Sequence, residues 1–306
     1  KPFFDKDIIS LKEMILDNDF IKVPKGEYKE KNLLNSYIDR LLKNAQINSN
    51  LKIAWDPGNG VGGLIVEELI KRIPAQHFPI NCKIDGKFPN HHPDPTIEAN
   101  LQQVKNELDK NKCDVAIAFD GDADRIGVID DEGVVIWGDQ LLILYAKEIL
   151  SRKPNSKIIA DVKASQIFVD EIKKAGGQPI IWKTGHSYIK SKMIETDAEL
   201  AGEMSGHIFF RDDYYGFDDA LYASVRLLNL MTKSKQKLSD LRKTLPQTYS
   251  TNEIKIACSE EKKFKIIEEI ATKLANSKED VNFIDGIRLT NDKGWWLLRA
   301  SNTTPC

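Results

Sequence analysis

The chain has 306 residues, 41% of them hydrophobic and 29% charged, enough for about two or three globular domains with a sizeable core. Its 44 basic and 46 acidic residues leave a formal net charge of -2, which excludes a global field for nucleic acid or an anionic membrane, so any anion site is local. No apolar stretch reaches the roughly 18–20 residues of a membrane span, and Lys1-Pro2-Phe3-Phe4-Asp5 is no secretory signal, so a cytoplasmic protein without nucleic-acid or membrane partners is expected. Cys82, Cys113, Cys258 and Cys306 have neither zinc-site spacing nor the density of a disulfide scaffold and read as reduced thiols.

After an opening segment, helical periodicity over 33–45 leads to a strand over 51–55, a glycine-rich turn at 56–63 and a helix over 64–73. A Pro- and His-rich loop at 89–95, a helix over 97–110 and an apolar strand over 113–119 follow, then an acidic loop and a strand over 126–130. A second alternating unit starts near Gly138, with helix 141–150, strand 157–162, helix 165–175, strand 179–182, helix 188–195 and the run Leu200-Ala201-Gly202-Glu203. An apolar strand at 208–210 precedes an amphipathic helix over 220–230, whose start is marked by Asp218 and Asp219. A third unit begins near Gln247, with strand 253–257, helix 260–274 and strands 281–284 and 295–299; it stops at Cys306 without a closing helix and reads as incomplete. Strands alternating with helices predict α/β units, repeated in architecture and not in sequence.

The acidic loop is Asp120-Gly121-Asp122-Ala123-Asp124-Arg125. Three carboxylates this close repel one another, so bringing them together is favourable mainly when a hard cation such as Mg²⁺ takes their oxygens, and Arg125 adds a fixed fork suited to a phosphate. A solvated acidic hairpin is the bland alternative. A calcium-binding helix-loop-helix is the other, and it fails because Arg125 stands where that loop needs glycine and the flanks are strands.

Gly58, Gly60 and Gly63 satisfy G-x-G-x-x-G between a strand and a helix, with Asp85 downstream, so a nicotinamide-dependent oxidoreductase is a rival reading. Pro57 and the poor strand at 78–82 weaken it, and a tight strand-to-helix turn explains the glycines as well. Glu203-Met204-Ser205-Gly206-His207 puts an acid, a hydroxyl and an imidazole before a strand, a set that suits sugar hydroxyls and proton transfer. Lys183-Thr184-Gly185-His186-Ser187 and Lys163 each follow a strand, where open α/β sheets bind ligands. Arg299-Ala300-Ser301-Asn302-Thr303 offers a guanidinium, hydroxyls, an amide and backbone N–H groups, the donors a phosphate takes.

In this order, D-G-D-A-D-R, K-T-G-H-S, G-E-M-S-G-H and R-A-S-N-T, the chain resembles the α-D-phosphohexomutases, most closely the bacterial phosphomannomutase/phosphoglucomutase branch, over essentially its whole length. The resemblance implies successive mixed-sheet three-layer α/β domains with a partial α+β C-terminal domain. It divides the chain into a first-domain tail at 1–31, a second domain with the metal loop at 32–134, a third with the sugar loop at 135–246 and an incomplete fourth with the phosphate loop at 247–306. It implies one Mg²⁺ on Asp120, Asp122 and Asp124, with Arg125, His207 and Lys163 as catalytic groups. Lys163, Gly185, His186, Glu203, Ser205 and His207 would contact the sugar, and Arg299, Ser301, Asn302 and Thr303 the phosphate that is not transferred. Met204 is similar to the glucose/mannose branch, since glucosamine mutases usually carry Gln there.

The implied reaction interconverts hexose 1-phosphate and hexose 6-phosphate of mannose or glucose in a monomeric enzyme, through a phosphoserine and a hexose 1,6-bisphosphate that also serves as activator. The family's serine loop, T-A-S-H-N-P, is not among these residues, and Thr304 replaces the usual Glu or Gln. The expectation is therefore a mutase chain inactive by itself, with a non-catalytic sugar-phosphate or metal binder as the alternative of a different class.

Overall fold

The computed structural model describes residues 3–21, 25–249, 251, 253–275, 277 and 279–301. Helices α1 (Lys6–Leu16) and α2 (Leu34–Leu41) precede β1 (Lys52–Asp56), α3 (Gly62–Ile70), β2 (Gln76–Pro79), α4 (Gln102–Asn111), β3 (Val115–Phe119), β4 (Ile126–Asp130) and β5 (Val135–Ile136). The strands form a sheet in the order β2-β1-β3-β4-β5, parallel across β2, β1 and β3 and antiparallel beyond. β3 and β4 are buried at every position, which is why both read as continuous apolar runs with no polar alternation.

The second unit runs α5 (Gly138–Arg152), β6 (Lys157–Asp161), α6 (Gln166–Lys174), β7 (Gln178–Trp182), α7 (His186–Thr196), β8 (Leu200–Gly202), β9 (Ile208–Phe210), α8 (Ala220–Ser234) and α9 (Leu238–Lys243). Its sheet order, β7-β6-β8-β9, repeats the first, with a parallel trio closed by an antiparallel hairpin. The β3–β4 hairpin carries the acidic loop, and the β8–β9 hairpin carries Glu203 to His207 at the corresponding place. A third unit, α10 (Glu260–Leu274), β10 (Asp280–Asn282), β11 (Ile287–Asn291) and β12 (Gly294–Leu298), is an antiparallel meander beside one helix.

The first two units share one core. Ile38 and Leu41 of α2, Leu141 to Ala146 of α5 and Leu227 and Leu228 of α8 are buried in the same cluster as β1 and β3. Asp219 caps α8 by accepting from Tyr222 N at 2.9 Å and also receives the hydroxyls of Tyr37 (2.9 Å) and Tyr214 (2.6 Å), so α2 is tied to the start of α8.

Several elements differ from the sequence expectation. Residues 253–257 were expected to form a strand, yet they pair with no strand among the described residues, and Ile254 and Ile256 stay 76% and 67% exposed. Alternating apolar residues make a strand only where a neighbouring edge accepts their hydrogen bonds. The helix expected over 97–110 begins as a 3-10 turn, Glu98–Leu101, and becomes α-helical only from Gln102. β5, β11, α1 and α9 went unrecognised, and the poor strand read at 78–82 stands at 76–79 as β2; it ends in Pro79, which is tolerated because β2 is an edge strand.

The glycine-rich turn at 56–63 is a packing device. A Cβ at Gly60 would lie 2.4 Å from Gly121 O, and one at Gly63 would lie 2.0 Å from Cys82 O. Asp85 N donates to Asn59 O at 3.0 Å and Asp85 Oδ1 accepts from Lys87 N at 3.0 Å, so both the backbone and the carboxylate of Asp85 take part in the local turn. The dinucleotide reading is therefore withdrawn: backbone fills the space the glycines clear. Gly63→Ala is predicted to lower the unfolding free energy by about 2–4 kcal/mol, because only backbone movement relieves the clash. Urea denaturation of the two proteins checks this, and a loss near zero would mean that the turn yields freely.

Candidate active site

Asp120, at the end of β3, is buried, and its side chain organises the acidic loop. Oδ1 accepts from the backbone N of Asp124 (3.1 Å) and Arg125 (3.0 Å), and Oδ2 accepts from Arg125 Nε at 2.7 Å. Carboxylate oxygens of Asp120, Asp122 and Asp124 lie within 4.8 Å of one another. An all-oxygen, all-anionic donor set fits a hard divalent cation, so the cluster can hold one. Burial pushes the Asp120 carboxyl up to about 6, against the pull of its hydrogen bonds from Arg125.

Arg125 is held from a second side. Its Nη1 donates to Asp94 Oδ1 at 3.1 Å, and the same Asp94 oxygen accepts from Thr96 N (3.0 Å) and Oγ1 (2.7 Å). The guanidinium is thus fixed between two carboxylates, in a plane set by both.

The second hairpin meets the first through backbone. Arg125 and His207 form an antiparallel bridge, Ile126 N donates to Gly206 O at 3.0 Å, and Ala220 N donates to Ala123 O at 3.2 Å. Gly206 has φ +94°, and a Cβ there would lie 2.5 Å from Ile126 O, so the approach requires glycine. His207 Nε2 consequently lies 3.2 Å from Asp124 Oδ1, while Nδ1 lies 3.0 Å from Glu203 Oε2 and 2.8 Å from Ser205 Oγ. Burial alone would lower the imidazole, but the hydrogen bonds and charges of Asp124 and Glu203 outweigh it and push it up to about 10. On Asp124, burial acts upward, and the His207 hydrogen bond and the Arg125 charge bring the carboxyl below its ordinary value.

Glu203 Oε1 accepts from Gly185 N at 2.6 Å, joining the Glu203–His207 loop to the Lys183–Ser187 loop. His186 stacks on His207 with centroids 5.9 Å apart, and its Nδ1 lies 3.1 Å from Asp218 Oδ2. Asp124, His186 and Asp218 form a second group of metal-type donors. Lys190 already supplies the cation there, its Nζ lying 2.9 Å from Asp218 Oδ1 and 3.3 Å from His186 Nδ1. Beside the acidic loop, a cavity of ≈ 290 Å³ is lined by Asp122, Asp124 and Asp218 among others.

Lys163, after β6, pairs with Glu253 at 2.9 Å. Arg299 follows β12; its Nη2 lies 3.1 and 3.3 Å from the oxygens of Asp285, and its buried Nε has no hydrogen-bond partner among the described residues. An orphaned, buried guanidinium N–H is costly unless a ligand takes it, which is what a phosphate grip requires. Ser301 follows in the same segment, and Asn302 and Thr303 lie outside the described residues.

Three family models match in succession: Phosphoglucomutase/phosphomannomutase, alpha/beta/alpha domain II over residues 35–133, domain III over 137–249 and the C-terminal domain over 253–306. The chain belongs to the phosphoglucomutase/phosphomannomutase family. It is 40% identical over 301 residues to a phosphomannomutase/phosphoglucomutase of Pseudomonas aeruginosa, covering 98% of this chain and 65% of the relative. A phosphoglucomutase of Neisseria gonorrhoeae is 42% identical over 282 residues, 92% of this chain and 61% of that protein. The chain thus spans less than two thirds of the length of these relatives. A solved phosphoglucomutase/phosphomannomutase family protein from Burkholderia thailandensis superposes with a TM-score of 0.92 at 39% identity, covering 99% of this chain and 64% of that one. The mixed-sheet α/β fold class expected from the phosphohexomutase resemblance agrees with this match and with the first two family models.

Sequence reasoning gave no site role to Asp94, Asp161 or Asp285, and read Asp218 only as a mark of the start of a helix. Asp161 is fully buried at the end of β6, accepts from Met204 N and Thr184 Oγ1 (both 3.3 Å), and is pushed up to about 7 by burial and by Glu203. An acid at a strand end next to Lys163 was its only sequence signal.

The raised imidazole makes a pH prediction. A histidine whose pKa in the fold exceeds the ordinary 6.5 contributes stability that is complete below about pH 6.5 and is lost as pH rises through about 10. With a chelator present, the stability advantage of the parent protein over His207→Gln should therefore shrink between those values. A difference that stays flat across the window would show that His207 is not held charged.

Proposed function

We propose that these residues form the metal, sugar and distal-phosphate sites of a phosphomannomutase/phosphoglucomutase that interconverts hexose 1-phosphate and hexose 6-phosphate. The observation that carries this is the meeting of the acidic loop with His207, where the Asp124–His207 contact of 3.2 Å and the Arg125–His207 bridge put a cation site, an arginine and an imidazole at one point. The reading also divides the chain at 32–134, 135–246 and 247–306, one loop to each unit.

Asp120, Asp122 and Asp124 would hold Mg²⁺, which when bound neutralises charge on a phosphoryl group. Arg125, fixed by Asp120 and Asp94, presents its remaining N–H groups to the transferring phosphoryl oxygens without reorganising. His207, charged and beside Glu203, is placed to give a proton to a sugar oxygen and take it back in the reverse step. Glu203 and Ser205 accept from the sugar hydroxyls, and Lys163, Gly185 and His186 position the ring. Arg299, with Ser301, Asn302 and Thr303, grips the phosphate that stays in place, so that either end of the sugar can face the same catalytic groups.

In the full reaction a phosphoserine gives its phosphate to the monophosphate, and the hexose 1,6-bisphosphate returns the other one after turning over. No T-A-S-H-N-P loop occurs in these residues. A polypeptide of these residues alone is therefore predicted to bind glucose 1-phosphate with Mg²⁺ and not to turn it over. Calorimetry tests the reading: Arg299→Ala should weaken glucose 1-phosphate about tenfold to a hundredfold, and Asp124→Asn should weaken Mg²⁺ at least about tenfold. Absence of glucose 1-phosphate binding to the parent protein at millimolar concentration would refute it.

A further inference from the structure

Arg288, on β11, is a charged side chain taken almost wholly out of water, at 4% exposure. Burying a guanidinium carries a large desolvation cost, so its contacts are informative. Its Nη1 donates to the carbonyls of Val162 (2.8 Å) and Ala164 (2.7 Å), the two that flank Lys163, and its guanidinium carbon lies 4.2 Å from the Trp295 ring centre. Three residues earlier, Asp285 accepts from Thr184 N at 3.0 Å through the oxygen that lies 3.1 Å from Arg299 Nη2. Between them Gly286 has φ +85°, and a Cβ there would lie 2.4 Å from Leu298 O, so the turn is pressed against the residue before Arg299.

One four-residue segment, the end of a turn and the first two residues of β11, therefore touches three separate loops: the Lys163 loop, the Lys183–Ser187 loop and the start of the Arg299 segment. We propose that residues 285–288 are a positioning element that couples the phosphate grip to the sugar-side loops, with Asp285 orienting Arg299 and holding Thr184, and Arg288 holding the backbone on both sides of Lys163. The inference rests on the function proposed above, in which these loops bind two ends of one phosphosugar. Such a ligand binds well only if its two grips keep a fixed spacing, and charge-assisted hydrogen bonds to backbone keep it better than exposed side-chain pairs would. Asp285 and Arg288 are positioning residues; neither is required to touch the sugar.

The test is amide hydrogen exchange on this chain, comparing the parent with Asp285→Ala, Arg288→Met and Arg288→Lys, with residues 115–119 of β3 as an internal reference. Coupling predicts that Asp285→Ala and Arg288→Met each speed exchange by about tenfold or more in both loops, 162–165 and 183–187, while the reference is unchanged. Arg288→Lys, which keeps the charge and a donor, should restore part of the protection and serves as the variant to read if Arg288→Met fails to fold. Exchange that rises only in the loop each side chain touches would overturn the proposal, because that is the behaviour of independent packing contacts. The second readout is glucose 1-phosphate affinity in a double-mutant cycle of Asp285→Ala with Glu203→Gln. Coupling predicts combined losses that differ from the product of the single ones by at least about threefold, and simple multiplication would overturn it. Coupled exchange together with no glucose 1-phosphate binding by the parent would leave the positioning role standing and refute the proposed function.

Discussion

The site depends first on the close approach of two backbone hairpins at Gly206. The antiparallel bridge between Arg125 and His207 joins the β3–β4 loop to the β8–β9 loop, and the space for it exists only because residue 206 has no side chain. Each hairpin belongs to its own sheet, and each sheet is closed by its own apolar strands. Without the bridge, the carboxylates and the imidazole would be features of two separate surfaces. With it, Asp124 and His207 face each other at 3.2 Å, and their protonation is mutually dependent.

That contact organises the electrostatics. Three loop carboxylates repel one another, and the protein partly offsets this without a cation by spending Arg125 on Asp120 and a charged His207 on Asp124. Asp122 is left exposed. The arrangement keeps the loop folded while leaving outward oxygens for a metal. Arg125 and His207 are each fixed between two acidic side chains, so neither has to reorganise to face an anion, and such preorganisation is what makes charge stabilisation effective.

The repetition of sheet order in the two larger units explains why the loops converge. A parallel trio followed by an antiparallel hairpin puts the hairpin turn at the same end of the sheet as the carboxyl ends of the parallel strands, where open α/β sheets bind ligands. Used twice, this topology delivers the acidic loop and the Glu203–His207 loop to one point. The third unit reaches it through β11 and the residues after β12, where Asp285, in the turn before β11, and Arg288, on β11, make long-range polar contacts.

Local chemistry made much of this legible in the sequence. Asp120, Asp122 and Asp124 at alternate positions, flanked by apolar strands, mark a cation site as one answer to their mutual repulsion, and Arg125 beside them marks a place for an anion. The runs at 113–119 and 126–130 read as strands because both faces are buried, and the order of four loops was enough for the family resemblance. The glycine-rich turn misled, because G-x-G-x-x-G reports only that backbone must come close, and here it is Gly121 and Cys82 that do so, not a pyrophosphate. The strand expected at 253–257 failed for the complementary reason, since alternation states a capacity for pairing and not a partner. Asp94, Asp285 and Arg288 carry no local signal, and Asp161 only its place at a strand end; each acts on a residue far away in the chain. The sequence by itself therefore determined which groups are present and which elements carry them, since periodicity and charge spacing are local properties. Only the tertiary structure decided that Asp124 meets His207, that Arg125 is held from two sides and that Arg299 Nε is buried with no partner among the described residues, because burial, proximity and competition for hydrogen bonds exist only once distant segments are packed together.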